Sequence, residues 1–254
     1  MHLITALHTP ANVLVCGASQ GIGQALCEQL LARDDVARVF AVARSATRSP
    51  SLEALAHEHR LIRIDCDARD ERSLAAMAAQ VNAQCDHLNL VFSTVGVLQQ
   101  PPARAEKSLA QLDSAGLHAS FTTNCFAPIL LLKHLLPLLR HGPVTFAALS
   151  ARVGSIDDNH LGGWYSYRAS KAALNQLLRT ASIELKRLNP ASTVLAVHPG
   201  TTDTELSRPF QGNVPPDKLF TPAFAARCLL ELVGRHGPAQ TGTFWGWDGQ
   251  PIAW

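Results

Sequence analysis

The sequence is poor in charged residues, which make up 17% of its 254 positions, against roughly 25% in a typical globular chain. Its formal net charge is only +2, and the lysines and arginines are scattered along the chain. Proteins that bind nucleic acid usually carry a clustered basic patch. We therefore expect no nucleic-acid partner.

The six cysteines lack the spacings that mark a metal site or a compact disulfide framework. Most of them lie in apolar stretches, where cysteine behaves as a small buried hydrophobic residue. The first ten residues contain no basic segment followed by an apolar one, so no secretory signal is visible. We expect no bound metal and a reducing, cytoplasmic location.

Long uninterrupted apolar runs are absent as well. The longest run, Pro128 to Leu139, contains Lys133, His134 and Pro137, and it is too short to span a bilayer. Apolar residues nevertheless make up 47% of the chain, which is enough for a sizeable core. We expect no membrane association.

Short apolar runs alternate with amphipathic stretches along the whole chain, without a linker, repeat or low-complexity tract. Continuous apolar strands are typical of parallel sheets covered on both faces, and strands that alternate with helices predict βαβ units. The sequence thus predicts an α/β fold, a single doubly wound Rossmann-type domain over residues 1–254 with a parallel sheet of about seven strands. The predicted strands are Asn12–Cys16, Val39–Ala43, Leu61–Ile64, Leu88–Phe92, Val144–Leu149, Thr193–Val197 and Thr243–Trp245, and the predicted helices are Gly21–Arg33, Ser51–His59, Ser73–Val81, Leu112–Leu139, Tyr165–Leu188 and Pro222–Val233.

A glycine-rich segment, Gly17-Ala18-Ser19-Gln20-Gly21-Ile22-Gly23, joins the first predicted strand to the first helix. Glycines here permit a tight turn and let a diphosphate approach the amides at a helix N-terminus. The spacing Gly-x-x-x-Gly-x-Gly differs from the commoner Gly-x-Gly-x-x-Gly fingerprint. Its position in the first βα turn of a parallel sheet still predicts a dinucleotide-binding loop.

No acidic residue ends the second strand, where a carboxylate would accept a hydrogen bond from the 2′-hydroxyl of NAD. The segment reads Ala43-Arg44-Ser45, and an arginine at this position can pair with the 2′-phosphate of NADP. Arg44 therefore favours NADP (NADPH), with a solvated surface arginine as the alternative. Asp67, after the third strand, fits either a contact to adenine or a cap on the next helix.

Tyr167 and Lys171 lie one turn apart on a predicted helix. A cation beside a phenol lowers the phenol pKa from its usual value near ~10, so this pair can serve as a general acid or base. Chance surface pairs have the same spacing. Ser150 follows the fifth strand, at the edge where parallel sheets bind ligands. Asn124 is unfavourable inside a helix, which predicts a local kink or a polar contact.

These motifs and Pro199-Gly200 occur in the order found in the short-chain dehydrogenase/reductase family, which the chain resembles over essentially its whole length. Within that family, Ser150 to Ile156, Gly162 to Tyr167 and the tail Trp247-Asp248-Gly249 resemble the C-factor-like and sniffer-like carbonyl reductases.

The resemblance implies an NADP-dependent oxidoreductase that transfers a hydride between nicotinamide and the carbonyl or alcohol carbon of a small aldehyde, ketone or quinone. Tyr167 would be the general acid/base, and Ser150 would orient the carbonyl. Lys171 would lower the pKa of Tyr167 and bind the nicotinamide ribose, and Asn124 would hold a relay water. The expected cofactor-binding residues are Gly17, Ser19, Gln20, Gly21, Ile22, Gly23, Arg44, Asp67, Gly96, Tyr167, Lys171, Pro199, Gly200, Thr202 and Thr204.

Two departures from the family pattern stand out. Ser93-Thr94-Val95-Gly96 replaces the usual Asn-Asn-Ala-Gly, which puts side-chain hydrogen bonds at this loop in doubt. The segment between Ser150 and Tyr167 is a few residues longer than usual, and we expect it to shape the substrate pocket or to block an oligomer contact.

Two regions near the C-terminus allow more than one interpretation. Leu206 to Phe220 contains several prolines and is predicted to be a structureless segment, of the kind that often forms an active-site lid or else a rigid surface loop. The aromatic residues Phe244, Trp245, Trp247 and Trp254 fit either the core or the contact of a homo-oligomer.

Two alternative functions stay open on the sequence alone. One is a cofactor-binding signalling or regulatory protein with little turnover, which the complete set of Asn124, Ser150, Tyr167 and Lys171 disfavours. The other is an NAD-linked alcohol dehydrogenase, against which Arg44 argues.

Overall fold

Strands and helices alternate in the computed structural model, which describes residues 3–4, 7 and 9–254. Within that part of the chain the strands are β1 Ala11–Cys16, β2 Val36–Ala43, β3 Leu61–Asp65, β4 Leu90–Ser93, β5 Val144–Leu149, β6 Ser192–His198, β7 Thr201–Thr202, β8 Leu219–Phe220 and β9 Thr243–Gly246. The α-helices are α1 Gly21–Leu31, α2 Pro50–Glu53, α3 Glu71–Asn82, α4 Ser114–Phe121, α5 Ala127–Leu135, α6 Tyr165–Leu188 and α7 Pro222–Arg235.

Seven strands form one sheet in the order β3-β2-β1-β4-β5-β6-β9, and every neighbouring pair is parallel. The chain winds outward from β1 in one direction to β3, then returns to β4 and winds the other way. This reversal is the topological switch point of a doubly wound sheet, outside which such folds bind their ligands. The predicted Rossmann-type α/β fold is confirmed.

Hydrophobic cores cover both faces of this sheet. Successive strand residues point to opposite faces, so Val13 and Val15 pack with α1 and α7, whereas Leu14 packs on the other side with α3, α5 and α6. All six residues of β1 and all six of β5 are buried. Burial on both faces explains why the strands have continuous apolar sequences.

The carboxyl ends of the central strands meet at one edge of the sheet. Cys16 of β1 is in register with Ser93 of β4, Ser93 is in register with Ala148 of β5, and Leu149 is in register with Val197 of β6. The loops that leave these strands therefore start side by side, although they are far apart in the sequence.

The long predicted helix over Leu112–Leu139 is helical but not uniform. It consists of α4, a single π turn over Thr122–Phe126, α5 and a final 3-10 segment over Leu136–Leu139. In the π turn the amide of Ala127 donates to the carbonyl of Thr122. Ser114–Leu139 is long and apolar enough to cross a membrane, with a mean hydropathy of 1.3, but half of its most apolar window is buried inside the protein. Its helices pack against α3 and α6.

Two sequence predictions of local structure were wrong. The helix predicted over Ser51–His59 is only Pro50–Glu53. Leu52 is its one fully buried side chain, and from Leu55 onward the amides of Leu55, Ala56 and Glu58 bond three residues back instead of four. The segment predicted to be structureless contains 3-10 turns over Arg208–Asn213 and Pro216–Lys218 and the strand β8, which pairs with β7.

Replacing Phe146 with alanine tests the two-sided core. Its ring is fully buried in β5 on the α5 and α6 face, so Phe146→Ala should lower the free energy of unfolding by about 3–5 kcal/mol. Urea unfolding followed by circular dichroism measures this change. Leu161→Ala is the control, because Leu161 is 93% exposed and its loss should cost less than about 0.5 kcal/mol. Equal effects of the two substitutions would contradict this assignment of the core.

Candidate active site

A cleft of about 810 Å³ lies at the carboxyl edge of the sheet, where the loops after β1, β2, β3, β4, β5 and β6 converge. The cleft is lined by Ser150 and by every predicted cofactor-binding residue: Gly17, Ser19, Gln20, Gly21, Ile22, Gly23, Arg44, Asp67, Gly96, Tyr167, Lys171, Pro199, Gly200, Thr202 and Thr204. Asn124 is completely buried and is not among the lining residues. The structure thus brings sixteen predicted residues to one site, with Asn124 outside the cleft surface.

The glycine-rich loop is closed by a backbone contact that only glycine permits. A Cβ atom on Gly23 would lie 2.1 Å from the carbonyl oxygen of Gly17 and 2.8 Å from Oγ1 of Thr94. Thr94 Oγ1 itself donates to the carbonyls of Cys16, at 2.9 Å, and Gly17, at 3.2 Å. Thr94 therefore supplies side-chain hydrogen bonds to the loop at the position where the family pattern has asparagine.

One end of the cleft is bordered by two arginines and an aspartate. Arg44 is exposed at the end of β2, and Arg69 holds both oxygens of Asp67 through its Nε and Nη2 atoms, at 2.9 and 2.6 Å. The Arg69 guanidinium lowers the pKa of the Asp67 carboxyl, with a smaller contribution from Arg44. Asp67 does not cap the next helix. Asp70 has that role, since its side chain accepts from the amide of Arg72.

Tyr167 and Lys171 lie together at the other end of the cleft, on the first turns of α6. Their side chains are 7% and 2% exposed, and Nζ of Lys171 lies 5.7 Å from the centre of the Tyr167 ring. The same Nζ donates to the carbonyl of Leu149 at 2.8 Å. Tyr167 and Lys171 therefore form a buried pair inside the cleft and not a solvent-exposed pair on the surface.

Burial is the main cause of the pKa shifts of Tyr167 and Lys171. It raises the pKa of Tyr167 well above the usual range of a phenol, and it lowers the pKa of Lys171 to about 8, with a small opposing effect of Cys125. The sequence led us to expect a lowered pKa for Tyr167. The direction is opposite because burial removes the hydration that the charged phenolate needs.

Ser150 is held by a residue that the sequence interpretation missed. Its Oγ donates to Oδ1 of Asn175 at 2.6 Å, and both side chains are buried. Asn175 follows Lys171 by four residues, so Tyr167, Lys171 and Asn175 form one stripe on α6. That spacing is the signal that could have identified Asn175 in the sequence.

Asn124 connects the loop after β4 to α6 through its side chain. Its Oδ1 accepts from the amide of Val97 at 2.7 Å, and its Nδ2 donates to the carbonyl of Val97 and to Oγ of Ser170. Asn124 lies in the π turn, so both expected explanations for an asparagine inside a helix, a local distortion and a polar contact, are observed.

A buried carboxylate, Glu106, anchors the start of α6 and was not predicted either. Its side chain accepts from the amide of Ser166 at 3.2 Å and from the Ser166 hydroxyl, while its carbonyl accepts from the amide of Trp164 at 2.5 Å. No local sequence pattern marks Glu106, because it is sixty residues distant from Ser166 in the chain.

Two of the aromatic residues near the C-terminus, Phe244 and Trp247, pack within the protein, whereas Trp254 is 40% exposed. Phe244 is buried in the core, and Trp247 packs against Phe220 and Phe224 with ring centres 4.4 and 5.6 Å apart. A Cβ atom on Gly200 would lie 2.5 Å from the Phe220 ring, so this aromatic cluster supports the cleft wall that follows β6.

Comparison with known proteins agrees with the cleft geometry. The sequence model of the family described as short chain dehydrogenase matches residues 11–214. A 1-hydroxy-2-glutathionyl-2-methyl-3-butene dehydrogenase from Rhodococcus sp. (strain AD45) is 30% identical over 247 residues, which cover 96% of this chain and 100% of that protein.

Solved structures of carbonyl reductases have the same fold. The NADPH-bound carbonyl reductase from chicken fatty liver is 29% identical, with a TM-score of 0.85, and the match covers 98% of this chain and 100% of that one. The carbonyl reductase Sniffer of D. melanogaster is 26% identical, with a TM-score of 0.85 and coverage of 97% and 100%. The resemblance to this group is confirmed, and the chain belongs to the short-chain dehydrogenase family of oxidoreductases.

Proposed function

We propose that the protein is an NADPH-dependent carbonyl reductase that acts on a small aldehyde, ketone or quinone. One observation carries this proposal. Tyr167, Lys171 and Ser150 meet at one end of a continuous cleft whose other end is formed by the glycine loop and Arg44. Such a cleft fits an extended dinucleotide with its reactive ring beside the tyrosine.

The residues of the cleft fit the dinucleotide. Gly17, Gly21 and Gly23 carry no Cβ atom in the loop at the N-terminus of α1, so a diphosphate can approach the amides there closely. At the adenosine end, Arg44 provides a cation for a 2′-phosphate, and no carboxylate stands at Ala43 or Ser45 to bind a 2′-hydroxyl. Asp67 lies beside them for a contact to the adenine.

Bound NADPH would supply the hydride to the carbonyl carbon. Tyr167 donates its phenolic proton to the carbonyl oxygen as negative charge develops there. Ser150 lies at the end of β5, and Asn175 holds its Oγ beside the site by accepting its proton. When a carbonyl oxygen is present, that proton would turn from Asn175 to the oxygen and make a second hydrogen bond there.

Lys171 has two roles in this proposal. Its Nζ is fixed by the carbonyl of Leu149 beside Tyr167, where it stabilises the phenolate left after proton transfer. It also provides a donor for the nicotinamide ribose. The side chain of Asn124 is already hydrogen-bonded to Val97 and Ser170. A relay water at Asn124 would therefore have to bond to its main-chain carbonyl.

Removing the phenol hydroxyl tests the proposed acid. Tyr167→Phe should lower kcat about 100- to 10,000-fold for NADPH-dependent reduction of a panel of aldehydes, ketones and quinones, while NADPH binding is kept. The second tyrosine of the chain, Tyr165, is 39% exposed, and Tyr165→Phe is the matched control. Steady-state rates from NADPH absorbance measure both, and full activity of Tyr167→Phe would rule out the mechanism.

The proposed preference for NADPH depends on Arg44. Arg44→Asp should reduce the ratio of kcat/KM for NADPH over NADH by about 10- to 100-fold, since it removes a charged hydrogen bond and adds repulsion. Arg140→Asp is the control, because Arg140 is exposed and is not a cleft residue. An unchanged ratio in Arg44→Asp would contradict the assignment.

The buried lysine predicts a pH dependence of stability. The folded pKa of Lys171 is about 8, below the value of ~10.4 expected when unfolded. Between these values the unfolded chain binds more protons, so the free energy of unfolding rises with pH.

Wild type should therefore gain about 2 kcal/mol of stability relative to Lys171→Met between pH 7 and pH 9.5. Urea unfolding of the protein without cofactor measures this difference. Lys186→Met, an exposed lysine on the same helix, should follow wild type at both pH values. Parallel pH profiles of wild type and Lys171→Met would contradict the buried, weakly basic state of Lys171.

A further inference from the structure

Trp164 has an unusual backbone at the edge of the cleft. Its φ is 52° and its ψ is 43°, and it is the one residue other than glycine with a positive φ in the described residues 3–4, 7 and 9–254. A bulky side chain in this left-handed region is unfavourable. Gly162 and Gly163 just before it also have positive φ, so glycine at position 164 would have met the backbone requirement without strain.

The unfavourable turn is held from both sides. The Glu106 carbonyl accepts from the Trp164 amide, and the guanidinium of Arg168 donates to the carbonyls of Val153, Gly162 and Gly163. Strained residues of this kind persist where the surroundings over-determine them, and they concentrate at ligand sites. These hydrogen bonds therefore fix the position of the Trp164 ring at the edge of the cleft.

The Trp164 ring stands between Tyr167 and the segment that follows β7. It is edge-on to the Tyr167 ring, with centres 6.2 Å apart and an interplanar angle of 81°, and it packs against Phe210 at 4.9 Å. All three rings line the cleft. Trp164 and Phe210 thus form a continuous aromatic wall next to the hydroxyl that would protonate a carbonyl.

We propose that Trp164 and Phe210 determine substrate specificity, and that they select compounds in which the carbonyl carbon carries a flat aromatic ring or is itself part of a quinone ring. This inference rests on the proposed function and narrows its substrate class. A carbonyl oxygen placed on Tyr167 puts its substituent against this wall, where an aromatic ring gains edge-to-face or offset contacts that a saturated ring of the same size lacks. Such a contact corresponds to about a 2- to 10-fold change in affinity.

Phe210 is positioned by hydrogen bonds at the base of its turn. Its amide donates to the carbonyl of Ser207, and Gln211 Nε2 donates to Asp203 and Ser207. The wall therefore combines two ordered elements, the start of α6 and the 3-10 turn over Arg208–Asn213. Specificity for a rigid, flat group suits a wall that does not need to rearrange.

The test compares acetophenone with cyclohexyl methyl ketone, which have the same carbon skeleton but differ in aromaticity. Wild type should prefer acetophenone in kcat/KM and, with NADP⁺ at saturation, in Kd measured by equilibrium dialysis. Trp164→Asn removes the ring but keeps a residue that tolerates the left-handed backbone, and Phe210→Leu keeps an apolar side chain. Each variant should reduce both preference ratios about 2- to 10-fold.

Phe126→Leu, which changes a half-exposed ring outside the cleft, should leave the ratios unchanged. Unchanged Kd ratios in both Trp164→Asn and Phe210→Leu would overturn the inference, whatever the turnover. Wild type that reduces neither ketone, nor any member of the wider carbonyl panel, would contradict the proposed function, while the Kd ratios would still decide the role of the wall.

Discussion

The close approach of α6 to the turn after β5 is the constraint on which the site depends. A Cβ atom on Gly154 would lie 2.7 Å from Cβ of Lys171 and 3.1 Å from its carbonyl carbon, so the two backbones touch without an intervening side chain. This contact brings Lys171 to the carbonyl of Leu149 and Asn175 to the hydroxyl of Ser150. With a wider gap, those short side-chain contacts would be lost, and the strand and helix would no longer form one site.

Burial and charge act against each other at this contact. The site places a phenol and an amine where water is excluded, so burial raises the pKa of Tyr167 and lowers the pKa of Lys171 to about 8, a value at which the lysine still carries its charge at neutral pH. A neutral, protonated Tyr167 is the form that a proton donor needs. The same exclusion of water strengthens each polar contact that forms in the site, which is why few polar groups suffice here.

The sequence predicted the sheet and most of the cleft because both depend on local patterns. Fully buried strands require continuous apolar runs, and the loop after β1 requires glycine where its backbone folds on itself. Other features depend on contacts between distant segments. Glu106 reaches the start of α6 across sixty residues, and the left-handed backbone of Trp164 depends on that contact. The direction of the Tyr167 pKa shift was mispredicted because spacing reports the neighbouring lysine but not the depth of burial.

The π turn at Thr122–Phe126 sets how many residues this helical region must contain. One extra residue in a helical turn rotates everything that follows by about 100°, and here it lets α4 face α6 while α5 faces α3. Deleting a single residue there would restore a regular helix, but it would turn the apolar side of α5, including Leu131 and Leu135, away from its core. Related chains are therefore expected to tolerate substitutions at the less buried positions of this turn, such as Thr122 and Phe126, more readily than gaps, whereas the buried Asn124 is fixed by its contacts to Val97 and Ser170.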